Sequence, residues 1–272
     1  MSNETFEVPL AAAEVYETQF VPAIFAEWAG LLVGATAVQP RQSVLDVACG
    51  TGIVARRVVD VVGPEAMVVG LDINPAMLAV AKRVRPEIEW REGDAGALPF
   101  PDAGFDVVLC QMALMFFPDR PNALAEMARV ATDGGTVGLA VPAAITEQPA
   151  YGRLVDIVTA EAGESAASLL DTYWSCGDRD ELREMATAAG LRVESIQTHL
   201  GTARFGSSDD MVATEIEGSP LADRIDASAY DRIRERCRTA LAEFVTADGS
   251  LAAPLHGHIL VATSTRQRPT IR

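Results

Sequence analysis

The chain has 272 residues, a formal net charge of −16 at pH 7, 49% hydrophobic residues and 22% charged residues. This composition is typical of a globular protein, and the length is sufficient for one sizeable apolar core. The large negative charge argues against a nucleic-acid partner, because an acidic surface repels the phosphate backbone.

The N-terminal segment, residues 1–40, lacks the pattern of a secretory signal. It begins with the acidic stretch MSNETFEVPLAAAEVYE, whereas a signal peptide has a positive region followed by an uninterrupted apolar stretch. Charged residues, Gly or Pro interrupt the apolar runs before the roughly 20 residues that a membrane-spanning helix needs. The four cysteines form no CxxC pair, so we expect reduced thiols in a cytoplasmic protein without a membrane span. Helical spacing runs from Leu10 to about Ala37, and Pro22 is predicted to divide it into two cap helices.

The middle segment, residues 41–142, alternates short apolar runs with helical patterns. The runs are SVLDVA, AMVVGLDI, IEWREGD, FDVVLCQM and TVGLAVP. Such alternation is the signature of repeated βαβ units around a parallel sheet. It predicts a doubly wound α/β fold.

The last segment predicts further core elements and an inserted helical cap. DRDELREMATAAGL has an acidic start and a terminal glycine, which is typical of a capped helix, and RVESIQTHL and HILVATSTR are predicted strands. These two strands bring the predicted Rossmann-like α/β sheet to seven strands, most of them parallel. We therefore predict one domain over residues 1–272, with the cofactor-binding core in 41–142, substrate-cap segments in 143–175 and 207–250, and the remaining core in 176–206 and 251–272.

The sharpest local pattern is VLDVACGTG, in which an apolar run ends at Gly50, Thr51 and Gly52 and a helical pattern follows. Glycine at such a bend lets a ligand approach the backbone, and the free N–H groups of the new helix point toward it. Asp72 ends the second strand, where a carboxylate can accept hydrogen bonds from ribose hydroxyls. Gly50, Gly52 and Ala55 also satisfy the dinucleotide pattern GxGxxA. A dinucleotide cofactor and a different nucleotide-like cofactor therefore both fit these features.

Three further features separate the two cofactors: Asp46 within the first pattern, Asp94 in EGDA after the third strand, and the stretch LPFPDAGFDVVLCQ. With them the sequence resembles the class I S-adenosylmethionine-dependent methyltransferases, especially the small-molecule branch that includes the quinone C-methyltransferases. The resemblance is detailed over residues 40–142. It implies S-adenosylmethionine as cofactor and S-adenosylhomocysteine as product. The family loop usually reads DxGxGxG, and Ala48 replaces its first glycine, so we expect a weaker affinity for the cofactor.

The resemblance assigns a part of the cofactor to each matching position. The residues are Asp46, Ala48, Gly50, Thr51 and Gly52 for the methionine part at the loop; Asp72 for the ribose; Ile73, Met77, Asp94 and Ala95 for the adenine; and Gln111, Met112 and Phe116 for the methionine tail and the pocket. Tyr16, Phe20 and Trp28 either close over the cofactor or only pack the N-terminal helices.

The expected activity is methyl transfer to a small, hydrophobic or aromatic acceptor, with O, N and C acceptors all open. No catalytic residue is assigned, because in-line transfer from a sulfonium mainly requires alignment of the nucleophile. His199, His256 and His258 are the only histidines, and they are not expected to bind a metal. Two alternatives are a nicotinamide-dependent oxidoreductase and a protein that binds S-adenosylmethionine without transferring its methyl group. The protein is expected to be a monomer or a homodimer.

Overall fold

A computed structural model describes residues 9–63, 65–217, 221 and 224–265. Parts of the predicted N-terminal cap (1–8), second cap segment (218–220, 222–223) and final core segment (266–272) lie outside the described residues. The central feature is a seven-stranded sheet. Its strands are Val44–Val47 (β1), Val68–Asp72 (β2), Glu89–Glu92 (β3), Phe105–Gln111 (β4), Ala131–Pro142 (β5), Leu191–Phe205 (β6) and Leu251–Ser264 (β7).

The strand order is β3-β2-β1-β4-β5-β7-β6, and β7 runs antiparallel to both of its neighbours while β1 to β5 are mutually parallel. The five predicted strands of the middle segment correspond to β1 to β5, although β5 begins at Ala131, before the predicted run TVGLAVP. The prediction of a mostly parallel, seven-stranded α/β sheet is therefore confirmed. Because parallel strands end at the same edge of the sheet, the loops that follow β1, β2 and β4 come together there.

Helices cover both faces of the sheet. They are Leu10–Val15 (α1), Ala26–Ala35 (α2), Ile53–Val62 (α3), Pro75–Val84 (α4), Arg120–Val130 (α5), Pro149–Ala162 (α6), Glu164–Trp174 (α7), Arg179–Ala188 (α8), Ser208–Glu217 (α9) and Ala227–Ala240 (α10). Alternate strand residues belong to different apolar clusters: Val44 and Leu109 pack with α2 and α3, whereas Leu45 and Val108 pack with α5 and α8. This division of the core is what a doubly wound sheet requires.

The N-terminal helix is continuous, so the predicted break at Pro22 is wrong. A π-helical segment, Tyr16–Phe25, joins α1 to α2 and contains Pro22. Proline lacks an N–H and crowds the preceding turn, and the wider π turn accommodates both effects without ending the helix. The resulting helix, Leu10–Ala35, has 26 residues and contains an 18-residue window with a mean hydropathy of 1.2, so it is long and apolar enough to cross a membrane by length and composition alone. Glu14, Glu17, Pro22 and Glu27 interrupt its apolar residues, and Trp28 and Leu32 on it are fully buried in the core.

The cap consists of α6, α7, α9 and α10, which pack against one another. Gln148, only 1% exposed, fixes the start of α6 to the sheet. Its amide N–H donates to the carbonyl oxygens of Ala143 (3.1 Å) and His256 (2.8 Å), and its side-chain oxygen accepts the His256 N–H at 3.0 Å. The first turn of α6 therefore has a defined position just beyond the carboxyl end of β5.

Candidate active site

The loop between β1 and α3 is built on left-handed backbone. Ala48, Gly50 and Gly52 have φ angles of 55°, 55° and 88°. A Cβ atom at Gly52 would lie 2.1 Å from the Trp90 ring, so glycine is required there by space as well as by conformation. A Cβ at Gly50 would lie 3.5 Å from the Tyr16 ring, which places that ring directly against the loop.

Two buried carboxylates organise this loop. Asp72, at the end of β2, accepts hydrogen bonds from the backbone N–H groups of Gly50 (2.7 Å) and Asn74 (2.8 Å). Asp46, at the third position of β1, accepts the N–H of Ala55 in the first turn of α3 at 2.9 Å. The two side chains belong to residues that are only 8% and 1% exposed. The acids predicted from the sequence therefore lie together beside the loop and hold it in shape.

Burial makes both acids reluctant to ionise. It raises the pKa of Asp46 to about 8, against the opposing effect of the Ala55 hydrogen bond, and the neighbouring charge of Asp72 raises that pKa further. Burial also raises the pKa of Asp72, although hydrogen bonds from Asn74 and Gly50 lower it. The guanidinium of Arg56 lowers the pKa of Asp46, but Arg56 itself is paired with Glu17 at 2.7 Å. A positively charged ligand at this place would stabilise the ionised acids.

The residues predicted for the adenine lie at the ends of β2 and β3. Ile73 is 57% exposed, an unusual position for a large aliphatic side chain, and Met77 is half-buried in the first turn of α4. Asp94 is exposed, and one of its oxygens accepts the Gly96 N–H at 2.8 Å. Ala95 is buried in the core below this turn. The arrangement offers an apolar surface beside an accessible carboxylate, as an adenine ring with its amino group requires.

Polar atoms without partners lie where the methionine part was predicted. The Gln111 side chain, at the end of β4, donates to the Phe25 carbonyl at 3.1 Å, whereas its own buried oxygen has no hydrogen-bond partner among the described residues. The buried Thr51 hydroxyl in the loop likewise has none within the described part of the chain. Met112, next to Gln111, has a φ of 50°, so a second non-glycine residue at this edge adopts left-handed backbone. An unpaired buried acceptor is costly, and a ligand donor would satisfy it.

The N-terminal helix covers the glycine loop. Tyr16 stacks between Phe20 and Phe25, with ring centroids 5.8 and 5.1 Å apart. The Glu17–Arg56 ion pair ties the helix to α3. Trp28 behaves differently, because a Cβ atom on Gly257 of β7 would lie 2.5 Å from its indole, which places Trp28 in the core. Of the three aromatic residues considered from the sequence, Tyr16 is the one at the loop.

Phe116 connects the sheet edge to the cap. It follows β4, is 36% exposed, and its ring meets that of Tyr173 on α7 edge to face at 5.6 Å. Within the cap, the Tyr151 hydroxyl donates to Glu215 at 3.1 Å, and Tyr151 packs against Trp174 at 5.1 Å. Burial raises the pKa of Glu215, which is 5% exposed, to about 7, although the hydrogen bond from Tyr151 opposes this shift. Sequence reasoning missed Glu215, since no local pattern indicates which residues of α9 face inward.

His258 has a structural environment. Its two ring nitrogens lie 3.0 Å from the Thr198 hydroxyl and 3.0 Å from the Gly177 carbonyl oxygen, and burial lowers its pKa. Within residues 9–63, 65–217, 221 and 224–265, no three His, Cys, Asp or Glu side chains are grouped as metal ligands.

Comparison with known proteins gives consistent results along the chain. The family described as methyltransferase domain matches residues 44–135. A trans-aconitate 2-methyltransferase of Methylobacterium nodulans is 30% identical over 235 residues, which cover 82% of this chain and 87% of that protein. A demethylmenaquinone methyltransferase of Renibacterium salmoninarum is 44% identical over 113 residues, 42% of this chain and 46% of that protein, so the chain matches less than half of this relative's length. The YcgJ protein of Bacillus subtilis has the same fold, with a TM-score of 0.60 at 20% identity, covering 88% of this chain and 99% of that one.

Proposed function

This chain belongs to the class I S-adenosylmethionine-dependent methyltransferases, and we propose that it transfers the methyl group of S-adenosylmethionine to a small, hydrophobic or aromatic acceptor. The observation that supports this proposal most directly is the pair of buried acids, Asp46 and Asp72, beside the glycine loop. Buried negative charge favours a cationic ligand, and the cofactor carries a sulfonium and an ammonium group.

The same acids argue against a nicotinamide dinucleotide. A pyrophosphate docks on the free N–H groups at the start of the helix that follows a glycine loop. In this chain the Asp46 carboxylate already accepts the N–H of Ala55 in that turn. A pyrophosphate there would find one donor already taken and would further oppose the ionisation of Asp46, whereas a sulfonium would favour that ionisation.

The matching residues suit the parts of the cofactor. The Asp72 carboxylate accepts backbone N–H groups of Gly50, Asn74 and Ile73, and two carboxylate oxygens have about four lone-pair sites, so it can still accept a ribose hydroxyl. Asp94 and the exposed face of Ile73 suit the adenine. The unpaired oxygen of Gln111 suits the ammonium group, and Tyr16 covers the loop from the other side. When bound, the cofactor supplies an electrophilic methyl group, and these residues orient it toward the cap.

The acceptor site is proposed below the cap, next to Phe116 and Tyr173. In-line displacement from a sulfonium disperses charge, so the protein accelerates it chiefly by holding the nucleophile behind the methyl group. Aromatic side chains provide flat, rigid contact surfaces for such an acceptor. The cytoplasmic location and the monomeric or homodimeric state stay predictions from the sequence.

Calorimetric titration with S-adenosylmethionine and with NADH tests the cofactor. Asp72→Ala is a poor variant for this purpose, because it leaves the N–H groups of Gly50 and Asn74 without acceptors at about 1–3 kcal/mol each. Asp94→Asn keeps an acceptor for Gly96 but removes the charge, so we expect about tenfold weaker binding of S-adenosylmethionine. Asp178→Asn, which preserves the cap of α8, is the matched control and should leave the affinity unchanged.

An assay with methyl-labelled S-adenosylmethionine tests the transfer. The acceptors are reduced demethylmenaquinone and trans-aconitate, because two relatives are named as methyltransferases of these compounds. Binding of NADH without binding of S-adenosylmethionine would refute the cofactor assignment. Cofactor binding without transfer of label to either compound would exclude these two acceptors, and transfer to trans-aconitate alone would contradict a hydrophobic or aromatic acceptor.

A further inference from the structure

The cap contains a buried acid for which the cofactor site has no use. Glu215 lies in α9, is 5% exposed, and accepts a hydrogen bond from the Tyr151 hydroxyl of α6 at 3.1 Å. Removing a carboxylate from water is costly unless the surroundings compensate for it. Such a group inside a cap over a catalytic edge is therefore a candidate for a chemical role.

The pair of Glu215 and Tyr151 stands at the same edge of the sheet as the glycine loop. Tyr151 is in the first turn of α6, directly after the carboxyl end of β5, and Gln148 holds that turn in place. β5 is separated from β1 only by β4, so the two strands lie roughly 10 Å apart across the sheet; Asp46 is level with Gly138, and β5 continues beyond the end of β1 to Pro142. α9 begins where β6 ends, and β6 runs in the same direction as β5, since both are antiparallel to β7.

Aromatic side chains connect this acid to the cofactor edge. Phe116, after β4, contacts Tyr173 with ring centroids 5.6 Å apart, and the charge of Glu215 raises the pKa of the Tyr173 hydroxyl. On the other side, Tyr151 packs against Trp174, whose buried indole N–H has no partner among the described residues. A buried acid with these aromatic rings nearby suits an aromatic compound that carries a hydroxyl group.

We propose that Glu215, oriented by Tyr151, accepts the proton of an aromatic hydroxyl on the acceptor; this inference rests on the proposed methyl transfer. The O–H bond breaks, its proton passes to a Glu215 oxygen, and its electron pair stays on the acceptor. The activated acceptor then forms the bond to the methyl carbon, and the electron pair of the S–CH3 bond returns to sulfur as a neutral thioether. Glu215 afterwards releases the proton to water.

The protonation behaviour of Glu215 agrees with this role. Burial raises its pKa to about 7, and a base acts most effectively when its pKa is near the working pH. Tyr151 from α6 and Tyr173 from α7 face it, and both have pKa values raised by burial and by its charge. The ion pair of Arg234 on α10 with Asp209 lies at the start of α9. The tyrosines therefore remain neutral while Glu215 titrates.

The test uses the full chain loaded with S-adenosylhomocysteine and two probes, 1-naphthol and its methyl ether, 1-methoxynaphthalene. We expect wild type to bind 1-naphthol at least about 10-fold more tightly, because only the hydroxyl donates to the carboxylate. Glu215→Gln keeps the volume and an acceptor for Tyr151, and it should reduce the preference to about twofold. The preference of wild type should also rise between about pH 6 and pH 8, and that dependence should vanish in the variant.

Glu217→Gln is the matched control, because Glu217 lies on the same helix and accepts a 2.6 Å hydrogen bond from a tyrosine, Tyr230, but is exposed. It should retain the full preference for 1-naphthol. The role of Glu215 is refuted if Glu215→Gln also retains the preference for 1-naphthol. It is likewise refuted if wild type loaded with S-adenosylhomocysteine binds both probes equally or binds neither. In each of these cases the cofactor assignment stands. If S-adenosylhomocysteine itself does not bind, both proposals fall.

Discussion

Ala48 is the residue whose replacement tests the physics of the glycine loop most directly. It has a φ of 55°, a conformation that costs a residue with a Cβ atom roughly 1–2 kcal/mol. Glycine removes that cost but loses about 0.5–1 kcal/mol through its more flexible unfolded chain. Ala48→Gly should therefore raise the free energy of unfolding by about 0.5–1 kcal/mol, and Tm by about 1–4 °C. Urea denaturation and thermal melting of the protein without cofactor measure both.

Ala103→Gly is the matched control, because Ala103 has a φ of 53° in the turn before β4, outside the glycine loop. Both variants should gain similar stability. Only Ala48→Gly should also bind S-adenosylmethionine several-fold more tightly, because it removes a methyl group from the backbone that the ligand approaches. A loss of stability in Ala48→Gly together with a gain in Ala103→Gly would refute the reasoning, since the contacts of the half-buried Ala48 methyl group would then outweigh the backbone strain.

Two further predictions concern buried polar groups. The pKa of Asp46 is about 8 in the folded protein and about 4 in an unfolded chain, so between these values the folded state holds the extra proton. The stabilisation from this extra proton is complete below about pH 4 and falls by up to about 1.4 kcal/mol per pH unit as the pH rises to about 8. Urea unfolding across this range should give a shallower dependence of the free energy of unfolding on pH in Asp46→Asn than in wild type. An unchanged dependence would contradict the raised pKa of Asp46. Gln148→Ala removes three buried hydrogen bonds between α6 and the sheet and should cost about 2–4 kcal/mol, with a loss below about 1 kcal/mol meaning that water replaces the amide.

Strands β1, β2 and β4 could be predicted because each is a short apolar run between turn-forming residues. β6 and β7 were predicted too short, as residues 192–200 and 258–266. The missed part of β7 contains Pro254 and small residues, which locally favour a loop, yet it pairs with β6 from Leu251 onward. The long antiparallel pairing with β6 stabilises this part of β7 as a strand, although its local sequence does not favour one. The error at Pro22 has a similar origin, because the rule for proline assumes an α-helical turn.

The cofactor end of the site was accessible from the sequence for a topological reason. Asp46, Asp72 and Asp94 each lie within or directly after a strand, and parallel strands bring such positions to one edge. Tyr16 and Glu215 come from segments far from the loop in sequence. Their placement depends on how the N-terminal helix and the cap pack, and helical periodicity alone specifies only that these segments have an apolar face.

The acids at the loop should also interact differently with a ligand that carries a sulfonium and with one that carries a neutral thioether. Asp46 and Asp72 are buried together, so in the empty protein their ionisation is opposed by burial and by mutual repulsion. A sulfonium relieves this opposition, and the thioether that remains after methyl transfer no longer carries the charge on sulfur. For a ligand whose sulfonium lies beside these acids, the electrostatic attraction should therefore be stronger than for the corresponding thioether. If the proposed cofactor binds beside them, the same two carboxylates that hold the loop in shape should favour a cationic ligand over a neutral one.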